Sequence, residues 1–177
     1  AVSQAKPLLV LPILSLNGQR LLWEQQNIWA SAWRDKRFAD GLQPARVPEG
    51  TAQDRADFDL RALNASNVSE RSRQLALRYG SGAVLLAEAR LVLTGNGQLE
   101  AAEVLVNRTG GQLGPNQMRH REPAQNGDRP LDLLTRTAQA VLRRYTEAWK
   151  QESSIEGSTV TTLTFETEND DLAAWLE

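Results

Sequence analysis

Every residue from Leu8 to Leu14 is apolar. A run that short cannot make a helix of useful length, and it follows Pro7, so it predicts a strand covered on both faces. Pro12 cannot donate to a ladder and predicts the point where pairing stops. Asn17-Gly18 predicts a type I′ turn into a short returning strand over residues 19–23. The period then becomes helical. Asn27 is placed to cap residues 28–38, with Trp29 and Trp33 four apart on one face beside Ile28 and Ala32, and Gly41 as the stop. Residues 45–47 predict a short strand ended by Pro48. Residues 49–67 are polar and poorly periodic apart from Phe58, Leu60 and Leu63, and predict a loop with a helical turn.

Ser66 or Asn67 caps a second helix, in which Val68, Ser72, Leu75, Ala76 and Tyr79 keep the helical period and Gly80 supplies a left-handed cap. Ala83-Val84-Leu85-Leu86-Ala87 opens a strand over residues 83–93 that later alternates through Glu88, Arg90 and Val92. Gly95-Asn96-Gly97 turns it into residues 99–107, where Leu99, Ala101, Glu103, Leu105 and Asn107 oppose Ala102, Val104 and Val106, giving a long antiparallel hairpin. Residues 109–129 predict a glycine-rich loop holding a further strand around 117–121. Pro130 opens the most regular helix, with the stripe Leu131, Leu134, Ala138, Val141, Leu142, Tyr145 and Trp149. Residues 153–158 read as a linker and 158–166 as a Thr-rich strand. Asn169 or Asp170 then caps a last short helix through Trp175.

Strands alternating with helices predict an α/β fold: a layered mixed sheet with an antiparallel hairpin, helices packed on it and right-handed crossovers. Its centre is the pairing of Leu8–Leu14 with residues 83–93, sandwiched by the helices of Trp29, Leu75 and Val141. Residues 1–157 form the α/β domain, and residues 158–177 either complete the sheet or begin a second domain.

Composition narrows the chemistry. The 177 residues are 41% hydrophobic and 24% charged, in the range of one globular domain that needs no staples. A net charge of -2 gives no electrostatic case for nucleic acid or an anionic membrane, and no apolar run approaches a membrane span. The chain begins at Ala1, as a mature or excised fragment would. Zero cysteines exclude thiol nucleophiles and Cys-ligated metals, and a single histidine excludes a His-rich metal site. The acidic run Glu166-Thr167-Glu168-Asn169-Asp170-Asp171 lacks the EF-hand spacing and reads as helix capping. Gly80-Ser81-Gly82 opens a strand and Gly95-Asn96-Gly97 sits in a hairpin, so neither has the strand-to-helix context of a phosphate loop. No cofactor and no metal are expected.

His120, between Arg119 and Arg121, reads as an exposed loop histidine. A general base there needs a partner carboxylate, which the sequence does not single out. Arg71, Arg73, Arg78, Arg143 and Arg144 read as solvated helix faces. Among the five tryptophans, helical spacing makes Trp29 and Trp33 core residues first. The candidate partner-binding anchors are Trp23, Trp29, Trp33 and Trp175, with Trp23 and Trp175 the better placed near chain turns and ends.

Several stretches together resemble the bacterial family called domain of unknown function 2066. They are Lys6-Pro7-Leu8-Leu9-Val10-Leu11-Pro12, Leu22-Trp23-Glu24, Asn27-Ile28-Trp29, Ala32-Trp33, Arg46-Val47-Pro48, Leu77-Arg78-Tyr79-Gly80 and Ala83-Val84-Leu85-Leu86-Ala87-Glu88-Ala89. The resemblance spans roughly Lys6 to Trp175. It departs at Ile28, where the family usually has Pro, and at residues 49–54, where the family commonly has a Gly-Asp-Leu-acidic-Asp run. It implies export to the periplasm and no assigned reaction. The strand and helix order is also similar to the TolB N-terminal domain and to CsgG-like envelope domains, which implies association rather than catalysis. The expected function is thus a non-catalytic periplasmic protein-interaction or envelope-associated module, with another envelope protein as partner. The alternative is a small-ligand-binding domain or hydrolase sited at the carboxyl ends of the parallel strands, lined by the loops after Leu14, Val47 and Ala89.

Overall fold

A computed structural model describes residues 4–166, with side chains described through residue 154. Strand β1 (Leu8–Leu16) runs parallel to β4 (Ala83–Leu93), with Leu8 opposite Ala83 and Ser15 opposite Arg90. The sheet continues antiparallel through β5 (Leu99–Thr109) to β6 (Gln117–Pro123). On the other side of β1 lie two short strands, β2 (Gln19–Leu21), antiparallel at Leu14–Leu16, and β3 (Ala45–Arg46), parallel at Leu8–Leu9. The sheet order is β2-β1-β4-β5-β6, with β3 also on β1. The mixed α/β fold and its central pairing are therefore as the apolar pattern predicts.

Pairing does not stop at Pro12. Its missing N–H lies on the side of β1 away from β4, in the gap between β3 and β2. Asn27, 2% exposed, fills that gap. Its Nδ2 donates to the carbonyls of Pro12 (2.8 Å), Leu22 (2.9 Å) and Leu21 (3.2 Å), and its Oδ1 accepts from Ala30 N (3.1 Å) to cap α1 (Ile28–Trp33). Asn27→Ala removes a cap and leaves three buried carbonyls short of a donor. It is expected to cost about 2 kcal/mol in urea unfolding. A loss no larger than that of a surface alanine substitution would refute the role.

The single helix predicted over 28–38 is two, because Asp35 accepts from Arg37 N and starts α2 (Lys36–Ala39). The loop predicted over 49–67 contains α3 (Ala52–Asp57), held by a capping box in which Thr51 and Asp54 bond each other's backbone. Helix α4 (Val68–Tyr79) ends at Gly80, which adopts the left-handed cap with φ of 63°.

Helix α5 (Pro130–Glu166) departs most from expectation. Its buried stripe is Leu133, Leu134, Thr137, Ala138, Val141, Leu142 and Tyr145, whereas Leu131 is 39% exposed. The helix also runs straight through the residues predicted as linker (153–158) and strand (158–166). Once a helix is nucleated and packed, each further residue adds a bond at little cost, and no proline follows Pro130 to stop it. Residues 158–166 are therefore helical and form no strand. The predicted last helix and Trp175 lie outside the described residues.

The helices α1, α2 and α5 bury one face of the sheet, on Val10, Leu14, Leu85, Ala87, Val104 and Val106. The helix α4 and the segment around Phe58 cover the opposite face chiefly over β1 and the start of β4, at Leu9, Leu11, Ile13, Val84 and Leu86, and α4 also reaches β5. Beyond Leu86 that second face stays open among the described residues, which is what positions the site.

Candidate functional site

Strand β6 is one edge of the sheet. Its register follows from the bonds that flank it: Arg108 N donates to Asn116 O (2.8 Å) and Ala124 N donates to Glu100 O (2.9 Å). In an antiparallel ladder, paired residues alternate between bonded and non-bonded. Met118, His120 and Glu122 therefore turn their backbone groups towards β5. Gln117, Arg119 and Arg121 turn theirs outward. Pro123, which has no N–H, closes the edge at one end, and its carbonyl accepts from Arg136 Nη2 (3.1 Å).

The same three residues place their side chains on the open face. With Ser15, Glu88, Arg90, Glu103 and Leu105, the two arginines line a hollow of about 610 Å³. Arg121 donates to Glu103 (2.6 Å) and Glu100 (2.8 Å), Arg90 also pairs with Glu103, and Arg20 donates to Glu88 (3.0 Å). The Arg121 guanidinium is the first cause holding the Glu103 carboxyl below its ordinary value. Arg119 is exposed and makes no hydrogen bond or ion pair with any described residue. Half-buried Leu105 lies beside it, so the hollow combines an apolar floor with one surplus cation.

His120 is in a strand, not a loop. It sits on the α5 face, and its Nε2 lies 2.9 Å from Glu122 Oε1, with Arg136 on the far carboxylate oxygen at 3.6 Å. No serine or threonine hydroxyl bonds it among the described residues. The loop at the carboxyl end of β1 forms a separate open depression lined by Leu16, Asn17, Gln19, Arg20, Glu24 and Gln26. His120 is not among those residues; it lines the arginine hollow instead.

The tryptophan anchors are redistributed. Trp29 and Trp33 are 0% and 1% exposed and belong to the core, so they present nothing to a partner. Large rings at helical spacing on the sheet-facing side of α1 are buried by the packing they create. Trp23 is half-buried, donating from Nε1 to Phe58 O (2.9 Å) and packing beside Gly50, and it acts as a staple between β2 and the α3 region. Arg78 is not a solvated helix arginine. It bridges Asp54, which is 0% exposed, and Asp57. The sequence signal for this cluster was the Thr51-to-Asp54 capping-box spacing. The signal for the β6 edge was a run of polar residues, Arg119 to Glu122, ended by Pro123.

No family model and no curated protein matches the chain. Among solved structures it is similar to a single-residue variant of the PelC dodecamer from Paraburkholderia phytofirmans, at 12% identity and a TM-score of 0.39, over 76% of this chain and 83% of that one. It is also similar to lipoprotein GNA1162 from Neisseria meningitidis, at 16% identity and a TM-score of 0.37, over 78% of this chain and 95% of that one. At these scores neither likeness bears on what this chain binds. Among the described residues no helix is long and apolar enough to cross a membrane.

Proposed function

We propose that the chain is a non-catalytic periplasmic module of the bacterial cell envelope, related to the domain of unknown function 2066 proteins, and that it binds another protein along β6. The observation that carries this reading is the row of outward backbone groups on Gln117, Arg119 and Arg121, beside a sheet face that no helix covers among the described residues. Strand addition satisfies such a row at once, and the adjoining hollow gives alternate side chains of the incoming segment somewhere to lie. The sequence resemblance to an exported family supports the envelope setting, and a cysteine-free chain is compatible with it.

A photo-crosslinking residue at Gln117, in the chain expressed in the periplasm of its own bacterium, is expected to capture one discrete protein. The same residue at Leu77, an exposed position on α4, is the control. Identical products from both positions, or none from Gln117, would overturn the proposal.

A further inference from the structure

We infer that the segment taken up by β6 is an extended strand with acidic side chains at alternate positions, not a second copy of this chain. The inference rests on the strand-addition reading and specifies its partner.

The outward backbone groups and the arginine side chains belong to the same residues. A strand that bonds to Arg119 and Arg121 in antiparallel register must set its own residues directly opposite them, on the open face. Directly opposed side chains stand about 5 Å apart at Cβ, where unlike charges attract and like charges repel. Two residues spaced two apart on the incoming strand therefore meet two guanidinium groups. One of these, Arg121, is already held by Glu103 and Glu100, whereas Arg119 has no partner among the described residues. Counting the arginines at 20, 90, 119 and 121 against the glutamates at 88, 100 and 103, the surface retains one positive charge, at Arg119.

The same register rule disfavours self-pairing. Two β6 edges meeting antiparallel join outward residues to outward residues. Every register that pairs both arginines within the strand then sets Arg119 against Arg119, Arg119 against Arg121, or Arg121 against Arg121. The edge is thus guarded against its own copy and open to an acidic one.

The test uses the intact, isotopically labelled chain and three nine-residue peptides in which Val alternates with Glu, Gln or Lys. The Glu peptide is expected to slow hydrogen exchange at the Gln117, Arg119 and Arg121 amides. It should bind about tenfold tighter than the Lys peptide at low salt, with the gap narrowing as salt rises. Arg119→Glu should erase that preference, and because Arg119 is exposed and has no partner among the described residues the variant should fold as the parent does. Equal protection by all three peptides would overturn the acidic-strand inference and leave strand addition standing. Failure of every peptide to protect these amides would overturn both.

Discussion

Asp54→Ala is expected to lower the unfolding free energy by about 3–5 kcal/mol, the loss typical of removing one member of a buried ion pair. The carboxylate is 0% exposed. One oxygen accepts from Tyr79 Oη (2.5 Å), Gly50 N (3.1 Å) and Thr51 N (3.3 Å), and the other accepts from Arg78 Nη2 (2.7 Å) and Nε (3.2 Å). Alanine leaves all of these donors short of an acceptor, and only Arg78 keeps a second carboxylate, at Asp57 (2.8 Å). It also unpins α3 from the end of α4. Urea unfolding followed by far-UV circular dichroism measures the loss. Asp59→Ala, which removes the exposed pair with Arg61, is the control and should change stability by less than about 1 kcal/mol. A loss at Asp54 no larger than the control's would show that the cluster does not hold the two helices together.

The same cluster sets a pH dependence. Burial pushes the Asp54 carboxyl up, but its bonds from Tyr79, Arg78, Thr51 and Gly50 outweigh burial and leave it below its ordinary 3.8. Asp57 is lowered first by its bond from Arg78. A carboxyl lowered on folding contributes stability that is fully present above the unfolded value and lost as pH falls through the folded one. Acid unfolding should therefore set in below about pH 4, with a shallower slope in Asp54→Asn. Tyr79 works in the opposite sense. Burial, then its bond to Asp54, raises it above the ordinary 10, so its contribution is present below that value and fades as pH rises through the raised one.

What could be read from the sequence depended on whether a signal was local. The strand at Leu8, the Asn17-Gly18 turn, the Gly80 cap, the 83–107 hairpin and the start at Pro130 each carry their cause within a few residues, and each is present. Pro12 misled because its tolerance depends on Asn27, fifteen positions away in the chain, whose side chain takes the place of a missing strand. Arg78 misled for a similar reason. Its periodicity places it at the solvent side of α4, and only the fold of residues 49–57 brings an acid there. The candidate site was half-visible. A strand is expected near 117–121, but its being an edge, and which residues turn outward, depends on sheet order and register. Residues 153–158 read as a linker and the Thr-rich 158–166 as a strand because Ser and Thr are poor helix formers, and continuity with a packed helix prevailed.

Trp29→Ala is expected to cost about 3–5 kcal/mol, and the conservative replacements around it should separate packing from hydrogen bonding. The Trp29 ring is fully buried under α5, edge-on to Trp33 with centroids 5.6 Å apart. Its Nε1 donates to the Ala87 carbonyl in the centre of β4 (2.9 Å). It therefore joins helix α1 to the strand that the whole sheet is built on. Trp33 is as deeply buried and leans on Phe38 at 5.4 Å, yet its Nε1 has no partner among the described residues. Phenylalanine at 29 loses ring volume and a buried hydrogen bond. Phenylalanine at 33 loses ring volume but also removes an unsatisfied donor, which recovers part of the loss. The expected order of destabilisation is Trp29→Ala, then Trp29→Phe, then Trp33→Phe, with about 1 kcal/mol or more between the two phenylalanine variants. Circular dichroism in urea should read it, because the substitutions alter the fluorescence signal itself. If Trp33→Phe proved as costly as Trp29→Phe, the bond to Ala87 would contribute nothing beyond packing, and α1 would be held to the sheet by ring burial alone.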